Sequence, residues 1–296
     1  MTKRRSTTAL MAAIAATTFG IDVPALSETR GGASQSSQAF MGYWLGYVQG
    51  GAPLQATPAS VGIVALAFAV TSPGPDGDTI TLDFLTSQHA ADEIRDGVKA
   101  LQARGVKVVM SINGKPNWSG HAGGWDNLDP AAFAANVKAI VVDQWGLDGV
   151  DLDNEAISVI PGDNFVQVVK ALRHALGPEA LLTLPVFIAR RDNYLSQVRD
   201  DISFVSTMGY WSDFDSQIAR FNKYAALVGP EKVAIGVADA ATPARDNTRF
   251  AIVARLAGWN PENAHKAGMM LWNLNPPSLE QEATAEWCAA IGEHLP

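Results

Sequence analysis

Cysteine is nearly missing from this chain: Cys288 stands alone among 296 residues, so no internal disulfide can form and stability must come from a core. Charge is also scarce, at 18% of residues, and it leans acidic: 22 Lys and Arg against 30 Asp and Glu give a formal net charge of −8. A surface of that sign repels phosphate backbones, which argues against nucleic acid as a partner and suits a soluble, neutral or cationic ligand. No apolar run is long enough to span a membrane, since the stretch from Ala9 to Ile21 is too short and too rich in Ala and Thr. No G-x-G-x-x-G follows the first strand-like segment, so the dinucleotide fingerprint is missing. The five histidines show neither H-E-x-x-H nor paired ligand spacing. No metal, nucleotide, flavin or other cofactor is therefore expected.

What is present divides the chain into three parts. Lys3-Arg4-Arg5, the apolar run that follows and the small residues of Ala25-Leu26-Ser27 read as a secretory signal over residues 1–27. A secreted protein with no membrane attachment after cleavage is the expectation. Removal of Lys3, Arg4, Arg5 and Asp22 would take the net charge from −8 to −10. Residues 28–39 (ETRGGASQSSQA) form a flexible linker. Residues 40–296 are left for one folded domain, expected to be a monomer.

Within that domain, short apolar runs alternate with helical patterns. The strands are expected over 40–47, 61–70, 106–113, 148–153, 180–187, 202–208, 232–237 and 268–273. Val61 to Val70 is nearly continuous in apolar residues, as in a strand buried on both faces of a parallel sheet. Helices are expected over 87–104, 130–145, 163–176, 192–199, 213–228, 247–257 and 279–291, the second opened by Asp129-Pro130 and the first ended by Gly105. Eight such units in about 255 residues fit a (β/α)8 TIM barrel, an α/β fold, and a doubly wound open sheet is the alternative.

The most informative stretch is Asp148-Gly149-Val150-Asp151-Leu152-Asp153-Asn154-Glu155. In an extended strand Asp151, Asp153 and Glu155 share one face, about 6.6 to 7 Å apart. Like charges at that spacing repel, so one or more of these acids should hold a proton near neutral pH. A solvated strand face or a calcium loop is the bland alternative, but Ala156 sits where a calcium loop needs glycine.

A barrel gathers its chemistry at the C-terminal ends of its strands. That rule collects Glu155, Asn113, the segment Met208-Gly209-Tyr210-Trp211, Trp272 and the glycine-rich loop with Trp118 and Trp125 at one mouth. Indole faces stack on the apolar faces of sugar rings, which suggests an oligosaccharide. Packing is the competing role for each of these aromatics.

Asp148-Gly149-x-Asp151-x-Asp153-x-Glu155 is similar to the D-G-x-D-x-D-x-E signature of glycoside hydrolase family 18, the chitinases and endo-β-N-acetylglucosaminidases. Gly42-Tyr43-Trp44, Met208-x-Tyr210 and Trp272 also resemble the family's pattern, so the likeness extends over residues 40–296. It implies retaining hydrolysis assisted by the substrate's own acetamido group. Glu155 would be the acid and base, and Asp153 would orient the acetamido N–H. Asp151 would share a proton with Asp153. Tyr210 would donate to the acetamido oxygen, and Trp272 would floor the reacting sugar. Tyr43, Trp44, Met208, Trp211, Asn113, Trp118 and Trp125 would line the substrate.

The chain also departs from the family. Asn113 replaces the first glycine of the strand-three S-x-G-G motif, and Trp211 stands where many chitinases carry aspartate. The segment from Val237 to Asn247 leaves no room for a large α+β insertion, so an open, endo-acting cleft is expected. Three functions remain open: a chitinase-like glycosidase, an endo-β-N-acetylglucosaminidase acting on the chitobiose core of N-glycans, and a catalytically weak carbohydrate-binding barrel. Each takes a partner containing N-acetylglucosamine.

Overall fold

The structure, a computed structural model, describes residues 38–74, 78–114, 124–154, 162–187, 191–210, 212–238, 247–276 and 281–296. Outside them lie the segment expected to be a signal at 1–27, the expected linker up to residue 37, and Trp118, Glu155 and Trp211. The strands are β1 (Ala39–Leu45), β2 (Ile63–Ser72), β3 (Thr79–Thr81), β4 (Lys107–Asn113), β5 (Gly149–Asp153), β6 (Leu181–Val186), β7 (Phe204–Thr207), β8 (Val233–Ala238) and β9 (Gly268–Trp272). The helices are α1 (Ala91–Gln102), α2 (Pro130–Lys138), α3 (Asp163–Leu176), α4 (Leu195–Val198), α5 (Phe214–Val228), α6 (Asn247–Gly258) and α7 (Gln281–His294).

Among the described residues, eight of these strands pair in parallel in the order β1-β2-β4-β5-β6-β7-β8-β9, and β9 returns to β1. The sheet is therefore a closed (β/α)8 barrel, not an open doubly wound sheet. β3 pairs antiparallel with the end of β2, Val70 opposite Thr81. Sequence patterning does not reveal it, because three residues of Thr-Ile-Thr carry no usable period. The acid-bearing strand, fourth around the barrel, is thus β5. The helix expected over 130–145 is α-helical only to Lys138 and continues as a π-helix over Ala139–Gln144.

Alternation along the strands builds two apolar layers. Val64, Leu66, Met110, Val150 and Leu152 point outward and meet the helices. Met41, Tyr43, Ala65, Val109, Phe204 and Met270 point inward and fill the lumen. The amphipathic helices bury matching stripes: on α1, Ile94, Val98 and Leu101 recur at the helical period and are buried. At the start of α2 the Asp129 carboxylate accepts from the backbone N–H groups of Ala131 and Ala132, both at 2.9 Å, as its sequence signal implies.

One glycine of the acid motif has a purely steric duty. A Cβ on Gly149 would lie 1.9 Å from the Leu181 carbonyl oxygen, and φ there is +154°. Only glycine lets β5 run this close to β6, and that approach sets the register beneath the acids.

Candidate active site

Strand register does the first work of assembly. Ser111 on β4, Asp151 on β5 and Thr183 on β6 lie side by side, all facing the lumen. The Asp151 carboxylate is fully buried and accepts three hydroxyl hydrogen bonds: Ser111 at 2.7 Å, Thr183 at 2.6 Å and Tyr43 of β1 at 2.8 Å. Burial drives its pKa up from 3.8 to about 6, against the opposing pull of those three donors. Burial, followed by the charges of Asp151 and Asp153, raises the Tyr43 hydroxyl well above its usual range, so it remains a donor. Repulsion along the row was the expected cause of a held proton, whereas for Asp151 the cause is desolvation. The serine and threonine hydroxyls can rotate between donating and accepting, which accommodates either protonation state of the acid.

This shift has a consequence for stability. The folded pKa of Asp151 exceeds the unfolded one, so the folded chain binds an additional proton between about pH 4 and pH 6. The contribution is fully present below about pH 4 and is lost as pH rises through about 6, a swing of about 3 kcal/mol. Asp151→Asn should remove that slope. Urea unfolding across this range should show wild type losing stability relative to the variant as pH rises, and parallel curves would contradict the assignment.

Asp148, the first carboxylate of the motif, belongs to the other end of the strand. Burial raises its pKa, but hydrogen bonds from Lys107, Gln102 and the Val108 N–H outweigh that, and the net shift is downward. Its Oδ1 pairs with Lys107 Nζ at 2.8 Å, and its Oδ2 accepts from Val108 N at 2.9 Å. Asp148 ties β5 to β4 outside the lumen.

Asp153 ends β5 on the same face as Asp151 and is 2% exposed. Asn113 Nδ2, on the adjacent β4, donates to its Oδ2 at 2.9 Å. The departure at Asn113 thus puts an amide donor on the carboxylate. Against these acids stands an aromatic floor. Trp272 lies 5.3 Å from the Tyr43 ring and 5.8 Å from Phe68, the latter nearly parallel at 23°. Tyr47 continues the row, stacked on Phe68 at 6.4 Å and against Phe84 at 4.4 Å. Met208 and Tyr210 follow Phe204 and Ser206 up the lumen-facing column of β7, and the half-buried Tyr210 hydroxyl lies 3.8 Å from Met270 Sδ.

The structure thus brings Tyr43, Asn113, Asp151, Asp153, Met208, Tyr210 and Trp272 to the lumen and its mouth. Two expected substrate contacts are placed elsewhere. Trp44 alternates with Tyr43 and faces the helix layer, with its indole N–H bonded to the Ala52 carbonyl at 3.0 Å and its ring against His89. Trp125 is packed edge-on against Phe133 and Phe165, directly over Gly114, where a Cβ would fall 2.0 Å from the indole. Both are packing residues, because each faces the apolar layer between barrel and helices. Sequence reasoning missed Phe68, Tyr47 and Phe84. A register shift between Ala67 and Ala69 turns Phe68 inward, where strict alternation would have sent it outward.

A buried acid column beside an indole floor at the mouth of a TIM barrel is suited to protonating and cleaving a glycosidic bond. Comparison with known proteins agrees. A family model, the TIM-barrel domain of the endo-β-N-acetylglucosaminidase EndoS, matches residues 52–271. An endo-β-N-acetylglucosaminidase of Flavobacterium sp. (strain SK1022) is 35% identical over 92 residues, which make up 31% of this chain and 29% of that relative. The chain therefore spans less than a third of that relative's length in the match. Among solved structures, a family 18 chitinase from Pseudoalteromonas aurantia superposes with a TM-score of 0.65 at 19% identity, over 87% of this chain and 100% of that one. An endo-β-N-acetylglucosaminidase from Cordyceps militaris superposes with a TM-score of 0.60 at 21% identity, over 86% and 90%. Fold and acid motif place the chain, by family, among the glycoside hydrolases. More narrowly, the chain belongs to glycoside hydrolase family 18.

Proposed function

We propose that the protein is exported and cleaves, in endo fashion, the β-1,4 bond between two N-acetylglucosamine residues, with retention through the substrate's acetamido group. The observation that carries this reading is the column on β5: Asp153 at the mouth, held by Asn113, above the buried Asp151. In sequence, Glu155 follows two residues after Asp153 and completes the acid motif.

In the first step Glu155 gives its proton to the glycosidic oxygen as the C1–O bond breaks. The acetamido carbonyl oxygen attacks C1 and closes an oxazolinium ring. Asp153 holds the acetamido N–H and offsets the positive charge on that ring. Asp151, able to carry a proton up to about pH 6, lets the pair hold one proton between them. Water then attacks C1, Glu155 takes its proton, and the ring reopens to the acetamide. Trp272 supports the reacting sugar and Tyr210 donates to the acetamido oxygen.

That bond occurs both in chitin and in the chitobiose core of N-glycans. Family resemblance alone favours chitooligosaccharides. The N-glycan reading gains weight because the matching family model and the curated relative both carry the endo-β-N-acetylglucosaminidase name. Incubation with tetra-N-acetylchitotetraose and, separately, a high-mannose glycoprotein decides between them. Released glycan with an intact tetramer supports the N-glycan reading, shortened chitooligosaccharides support the chitinase reading, and turnover of neither defeats the proposal.

A further inference from the structure

We infer that Phe187 is a sugar-binding platform that holds the ring on the side of the cleaved bond away from the Tyr47–Phe84 wall, and so helps to set substrate length. This inference rests on the glycosidase reading above and deepens it.

Among the described residues Phe187 is the one large hydrophobic side chain left exposed, at 42%. It directly follows β6, whose outward residues Leu182, Leu184 and Val186 belong to the layer under the helices. Thr183, on the inward face, reaches Asp151. Phe187 lies one residue past the end of β6, and alternation carried on from Thr183 through Pro185 would put it on the inward column, about 13 Å beyond Thr183. That places it at the lip of the mouth, not on the barrel's outer wall. Its backbone is braced: Arg220 Nη1 donates to the Phe187 carbonyl at 2.8 Å, and the neighbouring Val186 carbonyl accepts from Met208 N at 2.8 Å.

Strand order gives the direction. Tyr43 and Tyr47 belong to β1 and the residues just after it, and around the closed barrel β6 stands four strands from β1 in either direction. The aromatic row from Trp272 through Phe68 to Tyr47 and Phe84 lines one half of the rim, and Phe187 tops the strand opposite. β5, with Asp153, neighbours β6. A linear glycan laid across the mouth with one end on that row passes Asp153 before reaching Phe187. An exposed phenyl ring there costs free energy in water, which stacking against the apolar face of a pyranose recovers.

The test compares wild type, Phe187→Ala and Phe187→Trp on a long substrate (hexa-N-acetylchitohexaose or the high-mannose glycoprotein, whichever wild type turns over) and on a short one, 4-methylumbelliferyl-di-N-acetylchitobioside. The alanine variant should raise KM for the long substrate about three- to tenfold with little change in kcat. Tryptophan should restore KM, the short substrate should respond less than the long one, and Tm should be unchanged. An unaltered KM for the long substrate, or equal losses on both substrates, overturns the platform while leaving the glycosidase reading intact. Absence of turnover by wild type itself would instead defeat that reading, and this inference with it.

Discussion

Glu155→Gln should slow hydrolysis about a thousandfold while leaving oligosaccharide binding in place. The argument runs through the leaving group: a sugar alkoxide is a poor one, and a positioned carboxylic acid contributes roughly 10² to 10⁴ in rate. Glutamine keeps the shape and hydrogen-bonding reach of the acid but carries no transferable proton. Loss should therefore fall on kcat, with the dissociation constant for a chitooligosaccharide changed by less than about threefold. Single-turnover kinetics alongside calorimetric titration separates the two. Undiminished hydrolysis would remove Glu155 from its role, and binding lost together with turnover would point to a folding defect, visible as a lowered Tm.

Asp153→Asn should cost about 10² to 10³ in kcat, the scale expected when one preorganised electrostatic partner is removed from a developing charge. Asp153 is buried at the mouth, and the Asn113 amide beside it limits its freedom to turn away. Its negative charge is what an oxazolinium ring needs, and an amide of equal size cannot supply it. KM should move much less than kcat, because the charge matters most once the ring has begun to form. A variant that retained wild-type rates would count against acetamido participation. Asp151→Asn gives a contrasting signature, since its effect on the pH dependence of stability follows directly from burial.

The order of strands and helices, and the placing of the acids on one of them, could be read from the chain because both rest on period. Val150 and Leu152 alternate with Asp151 and Asp153, and an alternation that strong leaves little freedom in which face each takes. Period was also what hid the rest. It cannot say which of two opposite faces becomes the lumen for Tyr43 and Trp44, since both are aromatic and both are buried. The bulge that turns Phe68 inward breaks the very rule used to assign faces. The glycine-rich loop of Trp125 points to a place at the mouth, but one of those glycines, Gly114, makes room for the indole to pack inward. The partners of Asp151 come from β1, β4 and β6, and only the closed register puts Tyr43, Ser111 and Thr183 around one carboxylate. For Phe187 no local pattern distinguishes a rim residue from one more apolar position at the end of a strand.

The most direct test of acetamido participation is turnover of an N-acetylated chitooligosaccharide beside its fully deacetylated counterpart, under identical conditions and with product anomers followed by NMR. The mechanism requires hydrolysis of the acetylated substrate with a β-anomer formed first, and no measurable cleavage of the deacetylated one, which lacks the internal nucleophile. Comparable cleavage of both, or initial release of the α-anomer, would contradict it.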